Sequence, residues 1–280
     1  MATLTNALCV DVDDLSSALI EQGLSLSRCE YLVDAETCSL LEHLETLKVK
    51  ATFFVPGATL CQSPGLVRSL AESGHQVASH GTQHRRVEGF SPEEFREDVS
   101  RSRKALEDLI GCAVDTYKAP MWSITAGCVW AYDVLIDAGF RVDHSAMPSL
   151  KESLGHAAHR LEPFRYEREL FVIPPTTLRI GGRALPFCGG FYCAYVPIGI
   201  QSRILQRIND RGMPFNYYFH PFEHSPHGSN RRLLKYRRLY PTLYGVHCGI
   251  YRRHLEHLVK GFRFAPLRDA YHHDVDTHHE

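Results

Sequence analysis

The feature that most restricts this chain is a repeated succession of short apolar runs and capped helical stretches, since such runs bury both faces only in a parallel sheet covered by helices. Residues 7–12 form the first run, closed by Asp13 and Asp14. Apolar spacing at Leu40, Leu41, Leu44 and Leu47 predicts a helix over 36–47, and 51–55 is a second run stopped by Pro56 and Gly57. Strand, helix, strand in this order requires a crossover and parallel pairing. The unit then recurs. Ser63 and Pro64 open a helix that Gly74 ends before a strand over 75–79. Ser91, Pro92 and Glu94 form a capping box for a helix with apolar positions Phe95, Val99, Leu106 and Leu109 and a stop at Gly111. Strands over 114–118, 140–142, 170–173 and 215–219 and helices over 126–138 and 200–211 extend the alternation, while the Gly- and Pro-rich 181–197 reads as an extended loop or hairpin. The expected class is α/β, a barrel of (β/α) units with fewer than eight repeats, with a doubly wound open sheet as the alternative. No linker divides the chain, so 1–270 reads as one domain and the His-rich 271–280 as a frayed tail.

With 31 basic and 32 acidic residues the formal net charge is -1, so no global field recruits nucleic acid or an anionic membrane. No apolar run is long enough to cross a bilayer, and the opening residues lack a basic and then apolar leader; a cytoplasmic protein without a transmembrane segment is expected. The 9 cysteines include no C-x-x-C pair and stand mostly in apolar surroundings, the pattern of reduced core thiols. The basic run 231–238 reads as a solvated helix face, with capture of a phosphate on a lipid- or nucleotide-linked sugar as the alternative. Oligomeric state is left open.

The polar residues that fall at or just past the ends of the expected strands are Asp13, Asp14, His80, His84, Lys118, Asp143 and His220. In a (β/α) barrel these ends share one face, where active sites are built. His80 and His84 alone make a weak motif, and two unrelated turn histidines would explain it. Combined with a carboxylate they make a donor set suited to a divalent ion, zinc foremost, with a position left for water. If Asp14 is that carboxylate, Asp13 remains as general base and His220 as general acid on the other side. This is apparatus for metal-assisted hydrolysis of an amide or ester.

Val10-Asp11-Val12-Asp13-Asp14, His80-Gly81-Thr82-Gln83-His84, Lys118-Ala119-Pro120-Met121-Trp122, Asp143-His144-Ser145-Ala146 and Tyr218-Phe219-His220-Pro221-Phe222-Glu223 resemble, in this order, the motifs of the polysaccharide deacetylases. These are the NodB-homology domains of carbohydrate esterase family 4, and the likeness is to the branch associated with exopolysaccharide and exosortase loci. It runs from about residue 7 to about residue 264. The resemblance implies a distorted (β/α)7 barrel, metal ligands Asp14, His80 and His84, Asp13 as base, His220 as the acid for the departing amine, a supporting Asp143, and an oxyanion contact from the Met121 amide. Trp122 and Phe222 are candidate faces for stacking on a sugar, packing at the barrel rim being the other reading. The family usually has arginine where this chain has Lys118; lysine is a point donor without the planar fork, so Lys118→Arg should raise turnover if the fork is what is missing. The implied activity is removal of N-acetyl groups from an N-acetylhexosamine in a saccharide bound for an exopolysaccharide or the cell surface. An amidase or deformylase acting on a small or lipid-linked amide, and a weakly active saccharide-binding relative, are the rival readings.

Overall fold

Strand β1 (Thr5–Asp11) is the buried axis of the fold, each of its residues after Thr5 lying in the interior. The computed structural model describes residues 4–13, 33–146, 161–180, 183–189, 196–225 and 250–271. After β1 come α1 (Val33–Leu47), β2 (Thr52–Val55), α2 (Gly57–Gln62), α3 (Pro64–Glu72), β3 (Gln76–Ser79), α4 (Pro92–Ile110), β4 (Thr116–Tyr117), α5 (Trp130–Asp137) and β5 (Val142–Asp143). The second half holds β6 (Phe164–Tyr166), β7 (Leu170–Val172), β8 (Thr177–Ile180), β9 (Arg183–Pro186), α6 (Ile198–Asn209), β10 (Asn216–Phe219), α7 (Pro221–His224), α8 (Ile250–Leu258), β11 (Arg263–Ala265) and α9 (Leu267–Ala270).

The sheet runs β10-β1-β2-β3-β4-β5-β7-β6, and every pair in it is parallel except β6 with β7. The seven consecutive parallel strands, β10 to β7, are the wall of the distorted (β/α)7 barrel that the resemblance implies, and they agree with the alternation's expectation of fewer than eight (β/α) repeats. Strand β11 pairs with the first half of β1, Thr5 to Ala7, and β8 and β9 form the hairpin expected at the start of the Gly- and Pro-rich segment. The short α2, β6, β11 and α9 carry too little periodicity to be seen in the sequence.

Helix α4 forms as its sequence dictates. Ser91 caps it, the Ser91 side chain accepting the Glu94 N–H (3.2 Å) while Glu94 Oε2 accepts the Ser91 N–H (2.8 Å). Gly111 ends it in the left-handed conformation, φ 73°. Phe95, Val99 and Leu106 are buried against the sheet. Two expectations change. Tyr271, expected in the frayed tail, is buried and donates its hydroxyl to the Pro214 carbonyl (3.1 Å). Among the described cysteines Cys9, Cys128 and Cys188 are buried, but Cys38, Cys61 and Cys112 are exposed, so burial accounts for only some of the free thiols. The run 231–238 and residues 272–280 lie outside the described residues. No helix among those described is long and apolar enough to cross a membrane.

Nothing lies within 4 Å of a Cβ added at Gly111, so Gly111→Ala carries only the cost of a left-handed alanine, about 1–2 kcal/mol, measurable as a lower denaturant midpoint. Acid should also loosen the fold. Burial depresses His75 to about 4, helped by Lys50, and burial depresses His254 to about 4, helped by Arg253. Both are neutral when folded but titrate near 6.5 when unfolded. Their contribution is therefore complete above about pH 6.5 and is lost as pH falls toward about 4. The thermal midpoint should fall across that window, and fall less steeply in His75→Asn, which keeps an acceptor for the Ala51 N–H (3.1 Å) but cannot be protonated; equal slopes would contradict this account.

Candidate active site

Beyond β1 the chain stays extended, Val12 donating its N–H to Phe54 O (2.9 Å) and burying its side chain in the core. Residues two apart on an extended segment face the same way and adjacent ones face opposite ways. Asp11 and Asp13 therefore form the acidic pair of this site. Asp13 Oδ2 lies 3.0 Å from His84 Nε2 and 3.7 Å from His80 Nε2. This corrects the register expected from the sequence: Asp13, read there as the general base, is the carboxylate that meets the two imidazoles. Asp14, read there as the ligand, lies outside the described residues.

Asp13, His80 and His84 each offer a donor atom, all within 4.8 Å of one another. His80 is buried, and its Nδ1–H donates to the Lys118 carbonyl (2.7 Å), which leaves the Nε2 lone pair on the Asp13 side. One oxygen of Asp13, Oδ1, is buried without a hydrogen-bond partner among the described residues. An orphaned carboxylate oxygen beside two imidazole nitrogens suits a divalent cation. Burial pushes the Asp13 carboxyl up, but His84 and His80 outweigh it and hold it well below the usual range.

Asp11 takes the place expected of Asp13. The Lys118 ammonium pairs with Asp11 Oδ2, both side chains being almost wholly buried. Burial raises the Asp11 carboxyl, but Lys118, His80 and His220 overcome this and lower it, so it is a carboxylate. Strands β1 and β4 are separated by β2 and β3, about 14 Å in a flat sheet, so only a curled wall can bring these two groups together. The ammonium also sits 4.1 Å from the Trp122 ring centre, 4.6 Å from that of Tyr218 and 5.4 Å from that of Phe54, an aromatic surround that favours a cation.

His220 follows β10 on the opposite side. Its Nε2 lies 3.8 Å from Asp11 Oδ2 and 3.9 Å from Asp13 Oδ2. Glu223 Oε2 accepts both the His220 backbone N–H (2.8 Å) and the ring Nδ1–H (3.0 Å), which sets the ring's orientation. Burial lowers this imidazole, but Glu223, then Asp11 and Asp13, outweigh it and raise it to about 9, so it carries a proton at neutral pH. A buried carboxylate and an imidazolium thus flank the donor set, with the polarity of a general base and a general acid.

The remaining expected residues are placed differently. Asp143 is fully buried and makes its hydrogen bonds to Ser145, accepting the backbone N–H (3.0 Å) and the hydroxyl, while Ser145 Oγ accepts the Ala119 N–H (2.7 Å). Burial raises its carboxyl to about 7 against those bonds. It braces the segment after Lys118 through Ser145, a supporting place as expected, and it is not one of the residues grouped around the possible ion. Trp122 is 8% exposed, edge-on to His144 (4.6 Å) and Tyr218 (5.1 Å) and under the Lys118 ammonium, and Phe222 is 1% exposed and stacked on His220 (4.9 Å). Both rings pack inward, so neither offers the sugar a face, because their apolar area is used to hold charged groups. Met121 is 38% exposed in a left-handed turn, φ 55°. Asp11 was legible as an acid two residues before Asp13, and Glu223 as an acid three after His220, but nothing in the sequence joins Tyr218 and Phe54 to Lys118.

The wall of parallel strands with a buried carboxylate, an imidazolium and a His-His-Asp set at one rim defines an α/β barrel with a candidate site at that rim. Residues 31–138 match the polysaccharide deacetylase family, and residues 144–272 match a domain of unknown function, DUF3473. The first of these matches makes residues 31–138 similar to the polysaccharide deacetylases, and the second covers most of the remaining C-terminal part. It is 31% identical over 115 residues to the peptidoglycan-N-acetylglucosamine deacetylase PgdA of Listeria monocytogenes, 41% of this chain and 25% of that protein. It is 25% identical over 135 residues to the peptidoglycan deacetylase of Helicobacter pylori, 48% of this chain and 41% of that protein. The matches thus span less than half of these relatives. The solved structure of a candidate polysaccharide deacetylase from Mycobacterium smegmatis superposes with a TM-score of 0.62 over 97% of this chain and 90% of that one at 19% identity, which shows the shared fold.

Since the Lys118 ammonium already meets Asp11 inside three rings, Lys118→Arg is expected to overpack the surround rather than supply a missing fork. The cost should be about 1–3 kcal/mol in denaturant unfolding. Lys118→Met, which strands a buried carboxylate, should cost more, about 3–5 kcal/mol. A variant Lys118→Arg as stable as the parent would refute the tight surround.

Proposed function

We propose that this protein is a metal-dependent hydrolase that removes N-acetyl groups from an N-acetylhexosamine-containing saccharide, in the making of an exopolysaccharide or cell-surface polysaccharide. The observation that carries this reading is the convergence of three functions: the His80, His84 and protonated His220 nitrogens lie 3.0–3.9 Å from Asp13 Oδ2, and the Asp11 carboxylate lies 3.8 Å from the same His220 nitrogen. The family-model match over residues 31–138 and the similarity to deacetylases support it. A divalent ion held by Asp13, His80 and His84, zinc being the one we favour for this donor set, would supply Lewis acidity toward water and the amide carbonyl.

The chain's own residues do the rest. Asp11, kept ionised by Lys118, accepts the proton of the attacking water. The Lys118 pairing also holds the carboxylate in one orientation, which a mobile base would lack. His220, aligned by Glu223, donates its Nε2 proton to the nitrogen of the breaking C–N bond, so the products are acetate and a free amine. The exposed turn at Met121 is where a backbone amide could meet the developing oxyanion.

The test is acetate release from chitooligosaccharides and from peptidoglycan by zinc-loaded protein, with formate and ammonia measured alongside. Asp11→Asn and His220→Ala should each lower kcat about 10²–10⁴-fold while leaving bound zinc unchanged, as expected for general base and acid. Asp13→Ala should lose the zinc itself. Formate or ammonia in place of acetate would redirect the reading to another amide, and full activity in Asp11→Asn would remove Asp11 as the base.

A further inference from the structure

The turn that carries His80 and His84 is held from outside by one carboxylate, Asp98 of α4. Asp98 is 4% exposed, and its two oxygens are divided between two consecutive backbone donors. Oδ2 accepts the Thr82 N–H and Oδ1 the Gln83 N–H, both at 2.9 Å. The Asp98 carbonyl accepts the Thr82 hydroxyl at 2.7 Å. One turn further along α4, Ser102 Oγ meets Ser79 Oγ at 2.8 Å, so the helix grips the end of β3 and the turn together.

The turn needs such a grip. Gly81 has φ +76° and His84 φ +49°, and a non-glycine residue in this region is held only where the surroundings impose it. A Cβ on Gly81 would stand 2.9 Å from Asp98 Oδ2, so the glycine and the carboxylate interlock. On the inner side the Gly81 carbonyl accepts the Gly57 N–H (2.9 Å), and the His80 N–H reaches Val55 O (3.1 Å). Among the described residues, Asp98 is the side chain of α4 seen to bond the backbone between the two imidazoles. Asparagine could accept only one of the two N–H groups; its NH₂ would face the other.

We propose that Asp98 is a positioning residue for the metal centre: by bonding the Thr82 and Gln83 amides it pre-forms the turn that presents His80 and His84 to Asp13. It stands outside the donor set of Asp13, His80 and His84 and acts through the turn backbone. The inference deepens the metal reading of Asp13, His80 and His84 and rests on it.

Cobalt(II) alone is the probe, its binding to the metal-free full chain followed by absorbance and by competition with a chromophoric chelator. Asp98→Asn should weaken cobalt binding about 10- to 100-fold, the usual effect of losing an outer partner of a metal site. His84→Ala serves as the reference for a lost ligand. Cobalt held as tightly by Asp98→Asn as by the parent overturns the proposal. A parent chain that binds no cobalt instead overturns the metal reading, a separate outcome. Amide exchange on the unaltered, metal-free chain is the second measurement, independent of whether the variant folds. The Thr82 and Gln83 amides should exchange slowly before cobalt is added; fast exchange that slows only with cobalt shows a turn formed by the metal and overturns pre-formation.

Discussion

Two carboxylates buried side by side at the end of the central strand are the constraint to which the rest of this structure answers. Asp11 and Asp13 are 4% and 6% exposed, and like charges so placed would push each other toward protonation unless positive charge were close. Lys118 and His220 approach Asp11, while His80 and His84 approach Asp13. These partners come from the ends of three strands: His80 and His84 after β3, Lys118 after β4 and His220 after β10. Charge compensation and active-site assembly are therefore one requirement, met only when the sheet has curled.

The second layer follows from the first. A buried ammonium is itself costly, and the chain surrounds it with Trp122, Tyr218 and Phe54, whose faces attract the charge while excluding water. That arrangement changes what Lys118 means. Taken as a substitution for arginine it looks like a loss of geometry; in place it is a donor whose freedom has been removed by packing. It also explains why Trp122 is no sugar platform, since its ring is occupied on the inside. Glu223 does for the His220 ring what the aromatics do for Lys118, holding one orientation through the backbone and side-chain bonds of a short helix.

Much of this was legible beforehand because the signals are local. The capping box at Ser91, the stop at Gly111 and the apolar runs that became β1, β2, β3, β7 and β10 need only neighbours a few residues away. The histidine pair and His220 could be located because strand ends gather function in such barrels. The acids read differently in the structure, Asp13 rather than Asp14 beside the imidazoles and Asp11 rather than Asp13 beside Lys118, for an equally local reason. Adjacent aspartates look like a pair on paper, whereas an extended chain pairs residues two apart, which joins Asp13 to Asp11.

The sequence by itself determined the alternation of elements, the parallel pairing and the residue types that could bind a cation, since these depend on periodicity and on the chemistry of single side chains. Only the tertiary structure decided which acid meets the imidazoles, that Lys118 lies among three rings, that Asp143 spends its carboxylate on Ser145, and that Asp98 holds the histidine turn. Those contacts join positions far apart in the chain, and they exist because curling the sheet carries β1, β4 and β10 to a common rim, a distance no local pattern encodes.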